Sequence, residues 1–308
     1  MPTVGLIGAG LIGRSWANVF ARAGWDVRLW DADPGVTQAA PRLVADSLHD
    51  IARHGLIAEP AKAAARVSIA GSLAEAVEGV DFVQESGPET IAAKRAIWAE
   101  LDVAAPVDIV LASSTSAIVA SRFTEGLKGR ERCIIAHPVN PPHLVPVVEL
   151  CGADWTSQSA RERARQVFLS VGQTPIEVKK EIDGFILNRL QAAVLTEAFR
   201  LVEEGYVSPE DLDHTIADGL GLRWAFMGPF ATIELNAPAG IPDYCGRFGA
   251  MLAELSRDPE AKAIWSQGKT EQVVAAWDKP LGADAVAKKS LWRNSRLAAL
   301  AAHKKQQK

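Results

Sequence analysis

The sequence has few cysteines, and their spacing excludes two common kinds of site. Among its 308 residues there are three, Cys133, Cys151 and Cys245. An odd number at wide spacing gives neither a disulfide framework nor the paired ligands of a zinc site. We therefore expect no metal, and we expect a reducing compartment such as the cytoplasm.

The chain also lacks a concentration of basic charge and a long apolar run. Its net charge is -4 and its pI is about 5.9, which gives no electrostatic footprint for nucleic acid. Apolar runs such as residues 109–112 are far too short to span a bilayer. Met1 leads directly into an apolar strand pattern rather than into a signal peptide. These absences favour a small-molecule partner, with no nucleic acid and no membrane.

Short apolar runs alternate with helical patterns over the first part of the chain, which is typical of a parallel sheet with crossover helices. Predicted strands lie near residues 3–7, 26–31, 66–69, 80–84, 107–112, 132–136, 146–150 and 173–177. The strand signal almost disappears after residue 184, where helical spacing takes over. The sequence thus predicts an α/β fold: a Rossmann-type, mainly parallel sheet domain over 1–182 and an all-helical second domain over 183–308.

A glycine-rich turn follows the first predicted strand. It reads Gly8-Ala9-Gly10-Leu11-Ile12-Gly13. The first glycine permits a tight turn, the second lets the backbone approach a pyrophosphate, and the third lets helix and strand pack closely. Free N–H groups at the positive end of the helix, where Leu11 and Ile12 lie, then meet the pyrophosphate. These residues predict a dinucleotide site.

Asp31 closes the second predicted strand, near the position where such sites place an acidic residue. Its carboxylate would accept hydrogen bonds from the adenosine ribose, and together with Asp33 it would repel a 2′-phosphate. NAD is therefore favoured over NADP. The alternative is an ordinary βα turn with Asp31 as a strand-end cap.

Polar side chains occur where three predicted strands end, in or near the crevice that ligands use in open α/β sheets. A run of hydroxyl residues ending at Ser116 follows one strand, His137 ends another, and Glu149 lies in a third. Taken alone, each residue is ambiguous. A histidine can be a hydrogen-bonded core residue with no catalytic role, and a carboxylate is costly to bury without a partner. Paired, the carboxylate would make the imidazole a general base for an alcohol proton.

Several motifs resemble the 3-hydroxyacyl-CoA dehydrogenase superfamily. They are Ser113-Ser-Thr-Ser116, Ala136-His-Pro-Val-Asn-Pro-Pro142, Val147-Val-Glu-Leu150, Gly184-Phe-Ile-Leu-Asn-Arg-Leu-Gln191 and Glu197-Ala-Phe-Arg-Leu-Val-Glu-Glu-Gly205. Two further stretches, Gly13-Arg-Ser-Trp16 and Gly219-Leu-Gly-Leu-Arg-Trp-Ala-Phe-Met-Gly-Pro229, are similar to its L-gulonate 3-dehydrogenase and lambda-crystallin branch. The resemblance extends to about residue 250 and implies NAD-dependent oxidation of a secondary alcohol by a homodimer.

The resemblance also implies roles for individual residues. His137 would be the general base and Glu149 its orienting partner, while Ser116 and Asn188 would donate hydrogen bonds to the reacting oxygen. Glu89 and Lys94 would contact the cofactor on its ribose side. As alternatives, Asn188 is a polar residue of an interdomain helix and Lys94 is a solvated helix lysine. The substrate C3 hydroxyl would give its proton to His137 and its hydride to the nicotinamide.

One segment departs from the acyl-CoA pattern. Arg223, Trp224 and Phe226 precede the Gly228-Pro229 motif, where acyl-CoA members have smaller, uncharged residues. We interpret Arg223 as a ligand for the carboxylate of a short hydroxy acid such as L-gulonate. The alternative for Arg223 is a structural role. For the protein, the alternatives are a 3-hydroxyacyl-CoA or 3-hydroxybutyrate-type dehydrogenase and a non-catalytic NAD-binding structural protein like the crystallins.

Overall fold

A single sheet of eight strands organises the first part of the chain in this computed structural model, which describes residues 1–255 and 283–306. The strand order is β3-β2-β1-β4-β5-β6-β7-β8. Neighbouring strands are parallel except for β6 and β7, which pair antiparallel. The strands are β1 Thr3–Ile7, β2 Asp26–Trp30, β3 Val67–Ile69, β4 Phe82–Glu85, β5 Leu111–Ser113, β6 Cys133–Pro138, β7 Val147–Cys151 and β8 Thr174–Val178. The predicted mainly parallel α/β fold is confirmed.

Helices cover both faces of this sheet and, with their connecting loops and turns, make up the rest of the described chain. They are α1 Leu11–Arg22, α2 Pro34–Ala52, α3 Pro60–Ala64, α4 Leu73–Val77, α5 Ile91–Ala104, α6 Ser121–Thr124, α7 Gln158–Ser170, α8 Leu187–Glu203, α9 Pro209–His214, α10 Gly221–Trp224, α11 Pro229–Glu234, α12 Gly240–Leu255 and α13 Ala283–Gln306. No strand is present among the described residues after β8, which agrees with the predicted helical second part.

Side chains that cap the helices explain where several of them begin. Asp33 accepts hydrogen bonds from the first turn of α2, Ser157 from that of α7, and Ser208 from that of α9. Such caps satisfy N–H groups that lack a partner inside the helix. Ser208, followed by Pro209 in the first turn, therefore marks the start of α9.

The core lies in two layers because neighbouring residues of a strand point to opposite faces of the sheet. In β1, Leu6 joins the layer under α1, α2 and α7, while Ile7 joins the layer under α4 and α5. Ile134 and Ile135 of β6 alternate in the same way. Both faces of the sheet are thus buried, as parallel strands require.

The chain divides into two compact units. One comprises Met1–Arg189 and Ala285–Lys308, and the other comprises Leu190–Asp284. Within the first unit, α13 buries Ala298 in the core, and Ser295 lies 3.3 Å from the His54 ring. The boundary predicted near residue 182 stays a prediction, and residues 256–282 of the predicted second domain lie outside the described residues.

In the part of the chain that the structure describes, no helix is both long and apolar enough to cross a membrane.

Candidate active site

The antiparallel pairing of β6 and β7 places His137 directly opposite Glu149. The imidazole Nδ1 lies 2.7 Å from Glu149 Oε2. His137 is 5% exposed and Glu149 is fully buried, so water does not screen the contact. The structure therefore brings together the two residues that the sequence predicts as an acid–base pair.

The second oxygen of Glu149 is also bound. Ile186 N and Leu187 N donate to Oε1 at 2.8 and 2.9 Å. Burial alone would raise the pKa of Glu149, but hydrogen bonds from His137, Leu187 and Ile186 outweigh it and hold the pKa below its usual value. The carboxylate is consequently ionised near neutral pH.

The charge on Glu149 determines the tautomer of His137. An ionised carboxylate can only accept hydrogen bonds, so Nδ1 of the imidazole must carry the proton that it shares with Glu149. In neutral imidazole the lone pair then lies on Nε2. This nitrogen can receive a proton from an alcohol, which is the chemistry of a general base.

A second cluster of contacts holds the loop after β5. Asn188 Nδ2 donates to the Ser116 carbonyl at 2.7 Å. On the other side of the loop, Glu89 accepts from Ser116 N at 2.9 Å, from Ala117 N at 3.3 Å and from the Thr115 hydroxyl. Ser116 itself is exposed. The backbone of Ser116 is thus held from both sides.

The two clusters are adjacent along the chain, since Leu187 contacts Glu149 and the next residue, Asn188, contacts Ser116. The start of α8 therefore holds both the carboxylate partner of the base and the loop of Ser116. Their contacts join chain segments that are far apart in sequence.

The glycine turn after β1 has the geometry that a dinucleotide requires. Gly8 has φ +104°, and a Cβ on Gly13 would lie 1.8 Å from the Gly8 carbonyl oxygen, so neither position tolerates a side chain. A Cβ on Gly10 would meet no atom within 4 Å. That open space, in front of a helix end with no side-chain cap, fits a pyrophosphate. Leu11 is 60% exposed at the same end.

Asp31 braces the same turn from the end of β2. Its Oδ2 accepts from Ala9 N at 2.7 Å, and its Oδ1 accepts from Asp33 N at 2.9 Å. Asp33 in turn caps α2. A carboxylate at this place can also bind ribose hydroxyls, so the residues present fit NAD.

Lys94 is fully buried, which contradicts the alternative reading of it as a solvated lysine. Its Nζ donates to both oxygens of Glu85, at 2.7 and 2.9 Å, and to the Gly87 carbonyl at 3.3 Å. Glu85 also accepts from Trp98 and Ser113. Contact of Lys94 with the cofactor stays a prediction.

Sequence reasoning missed Glu85, although it is a carboxylate at the end of an apolar strand, the signal that identified Glu149. Sequence reasoning also missed the turn at Gly184 and Phe185, which have φ of +75° and +50°. Arg223, in contrast, lies in α10 of the second unit, where it is exposed. Asp218, an acidic residue of the turn before α10, bonds to His214 at 2.9 Å.

Comparison with known proteins agrees with this geometry. A family model described as the NAD binding domain of 3-hydroxyacyl-CoA dehydrogenase matches residues 3–182, and one described as the C-terminal domain of that enzyme matches residues 184–268.

Individual relatives are similar over most of the chain. Lambda-crystallin from Oryctolagus cuniculus is 40% identical over 306 residues, which cover 98% of this chain and 96% of that protein. An L-carnitine dehydrogenase from a Pseudomonas species is 38% identical over 253 residues, covering 82% and 78%. The solved structure of an NAD⁺-dependent dismutase, 5-formyl-3-hydroxy-2-methylpyridine 4-carboxylic acid 5-dehydrogenase, superposes with a TM-score of 0.81 at 27% identity and covers 97% of both chains.

Proposed function

The chain belongs to the 3-hydroxyacyl-CoA dehydrogenase family and is an NAD-dependent dehydrogenase, and from this premise we propose that it oxidises the C3 hydroxyl of a short hydroxy acid, L-gulonate. The observation that carries the proposal is the buried pair of His137 and Glu149, with a 2.7 Å hydrogen bond at Nδ1. The product is 3-dehydro-L-gulonate.

Each residue of the site has one task in this proposal. His137 receives the hydroxyl proton at Nε2, and Glu149 stabilises the imidazolium that results. Ser116 and Asn188 donate hydrogen bonds to the reacting oxygen, which holds it beside the base. Bound NAD supplies the hydride acceptor. The glycine turn and Asp31 hold the dinucleotide, and Glu89 and Lys94 support its ribose side.

The similarity to L-carnitine dehydrogenase supports a free acid as substrate rather than a thioester. L-Carnitine, the substrate in the name of this relative, is a free 3-hydroxy carboxylate. A guanidinium suits such a group because its planar fork can bind both carboxylate oxygens.

A substrate comparison tests the proposal. NADH formation is followed with L-gulonate, L-carnitine and 3-hydroxybutyryl-CoA at equal concentrations. We expect the highest kcat/KM with L-gulonate. Preference for the thioester would favour an acyl-CoA dehydrogenase, and no NADH with any 3-hydroxy acid would favour a structural protein.

His137→Gln should abolish most turnover and leave NAD affinity nearly unchanged, because the base acts on the alcohol and not on the dinucleotide. Loss of a general base costs about a hundredfold to ten-thousandfold in rate. Steady-state kinetics and a fluorescence titration with NAD measure the two quantities. Retention of more than about a tenth of the activity would contradict the assignment.

Arg223→Met should raise the KM for L-gulonate if Arg223 binds the substrate carboxylate, since the variant loses the guanidinium contact to both carboxylate oxygens. NAD affinity and Tm should stay near those of the unaltered protein, and Arg223→Lys should recover only part of the loss. A lower Tm with an unchanged KM would instead show that Arg223 is structural.

Two further features complete the proposal. We propose that the enzyme is a homodimer, since α8 has no buried residue and exposes Leu190, Val194 and Leu195. We also propose a cytoplasmic location, because Cys133, Cys151 and Cys245 are all free thiols.

A further inference from the structure

Phe185 has a backbone conformation that residues other than glycine rarely adopt. Among the described residues it is the only non-glycine residue with positive φ, at +50°. In this region Cβ crowds the backbone carbonyl, and a large side chain remains there only when surrounding contacts hold it. Phe185 is also fully buried. Its conformation therefore has a cause in the contacts around it.

The backbone contacts of this turn converge on Glu149. Gly184 and Phe185 are two consecutive left-handed residues, and the N–H groups of the next two residues, Ile186 and Leu187, both donate to Glu149 Oε1. The N–H of Phe185 itself bonds to the Ile182 carbonyl at 3.1 Å. With ordinary negative φ values the chain would leave in another direction, and the two N–H groups would no longer meet one oxygen.

The side chain of the same residue lies against the base. The rings of Phe185 and His137 have centroids 5.4 Å apart and planes inclined by 38°. Within the described residues, the hydrogen bond to Glu149 is the one hydrogen bond that the His137 ring makes. A single hydrogen bond at one edge of the ring does not fix the plane of the imidazole, which can still rotate about that bond. An apolar ring packed beside it restricts that tilt.

We infer that Phe185 is a positioning residue for the catalytic pair. Its ring holds the plane of His137, and its left-handed backbone aims two N–H groups at Glu149, so one residue orients both partners. The inference rests on the proposed function only in taking His137 as the base. The competing role is a plain core residue, since Phe185 also belongs to the apolar layer of Ile135 and Val178.

A direct measurement of the imidazole separates these roles without any substrate. The chain has six histidines, so ¹⁵N-histidine labelling gives few signals, and His137→Gln assigns the signal of the base. At alkaline pH, where imidazole is neutral, we expect the Nδ1-protonated tautomer in the unaltered protein. Phe185→Leu keeps an apolar side chain but removes the ring face. In this variant the imidazole can tilt away from Glu149, and we expect the molecules that lose the Nδ1 hydrogen bond to show the Nε2-protonated tautomer beside the original one.

The kinetic arm uses the same variants. Misalignment of a base costs up to about a hundredfold, so Phe185→Leu should lower kcat about tenfold to a hundredfold while the Kd for NAD stays unchanged. Phe185→Met, whose unbranched side chain reaches further towards the position of the lost ring, should recover part of kcat and of the Nδ1-protonated population.

Phe123→Leu is the matched control, because Phe123 is buried in the same apolar layer and packs on Trp98 at 5.0 Å. It should lower Tm and leave both the His137 signal and kcat as they are. The inference is overturned if folded Phe185→Leu and Phe185→Met resemble this control. Failure of L-gulonate as a substrate would overturn the proposed function alone, since the tautomer measurement needs no substrate.

Discussion

His143 is a buried histidine outside the pair of His137 and Glu149, and it links the stability of the fold to pH. It is 8% exposed, and within the described residues its Nδ1 has no hydrogen-bond partner. Burial, together with the nearby charge of Arg22, lowers its pKa from 6.5 to about 4. Arg22 also donates to the His143 carbonyl at 2.6 Å. The folded protein therefore resists protonation of this ring.

This depressed pKa predicts a loss of stability in acid. Below pH 6.5 the unfolded chain gains a proton on His143 that the folded chain refuses until about pH 4. The free energy of unfolding should fall through this window by up to about 3 kcal/mol from His143 alone. Denaturant unfolding of the protein and of His143→Gln, at pH values from 7 to 4, measures the difference in slope.

The control for this experiment is His49→Gln, which changes an exposed histidine of α2. Its unfolding curve should follow that of the unaltered protein at every pH. If His143→Gln also keeps the full pH dependence, the acid sensitivity originates elsewhere.

At the residue scale, the sequence predicted best the residues whose chemistry needs a partner. A carboxylate in an apolar strand demands a counterpart, which is why Glu149 pointed to His137. Lys94 was harder to interpret, because its partner Glu85 was not identified and an unpaired helix lysine is usually solvated. The conformation of Phe185 has no signal in one sequence, because φ depends on the contacts around the residue.

At the scale of elements, apolar runs predicted all eight strands, although the edge strands β3 and β8 are partly exposed. The observed bounds shift by a few residues, as in β5, Leu111–Ser113, predicted over 107–112. The direction of β7 was not predictable, because an apolar run does not encode parallel or antiparallel pairing. The short helices α3, α4 and α6 were missed because they are too short to show a 3.6-residue period.

The glycine turn before α1 offers a prediction at this scale, because its glycines have different reasons to lack a side chain. Gly13→Ala should lower stability by about 1–3 kcal/mol, since the added Cβ would collide with the Gly8 carbonyl. Gly10→Ala adds a methyl group to open space. It should change stability by less than about 1 kcal/mol yet weaken NAD binding about tenfold or more.

Thermal unfolding and NAD titration of the two variants measure the contrast. Gly126→Ala is the matched control, because its Cβ also meets no atom within 4 Å and it lies far along the chain from the turn. Normal NAD affinity in Gly10→Ala would contradict the placement of the pyrophosphate.

At the scale of the whole molecule, the site is assembled from distant parts of the chain. Glu89, Ser116, His137, Glu149 and Asn188 are held by contacts that span up to 72 residues of sequence. Periodicity places each residue on a strand or helix, but only the sheet order brings the strands together. The resemblance to a family assigned these residues to one site, which local patterns alone do not do.

The second unit provides the last prediction, which concerns assembly. Leu190 and Val194 lie four residues apart on α8, so they share one face of the helix, and they are 62% and 42% exposed. An apolar stripe of this kind on a stable enzyme is typically covered by a partner. We expect sedimentation analysis to give a mass twice that of one 33.0 kDa chain. The double variant Leu190→Glu, Val194→Glu should sediment as a monomer, because an interface would bury two unpaired carboxylates.

Leu169→Glu is the control, since it adds a negative charge to the sheet unit, at a residue of α7 that is 44% exposed. It should leave the dimer intact. Sedimentation of the unaltered protein at 33.0 kDa would show that this face has another role.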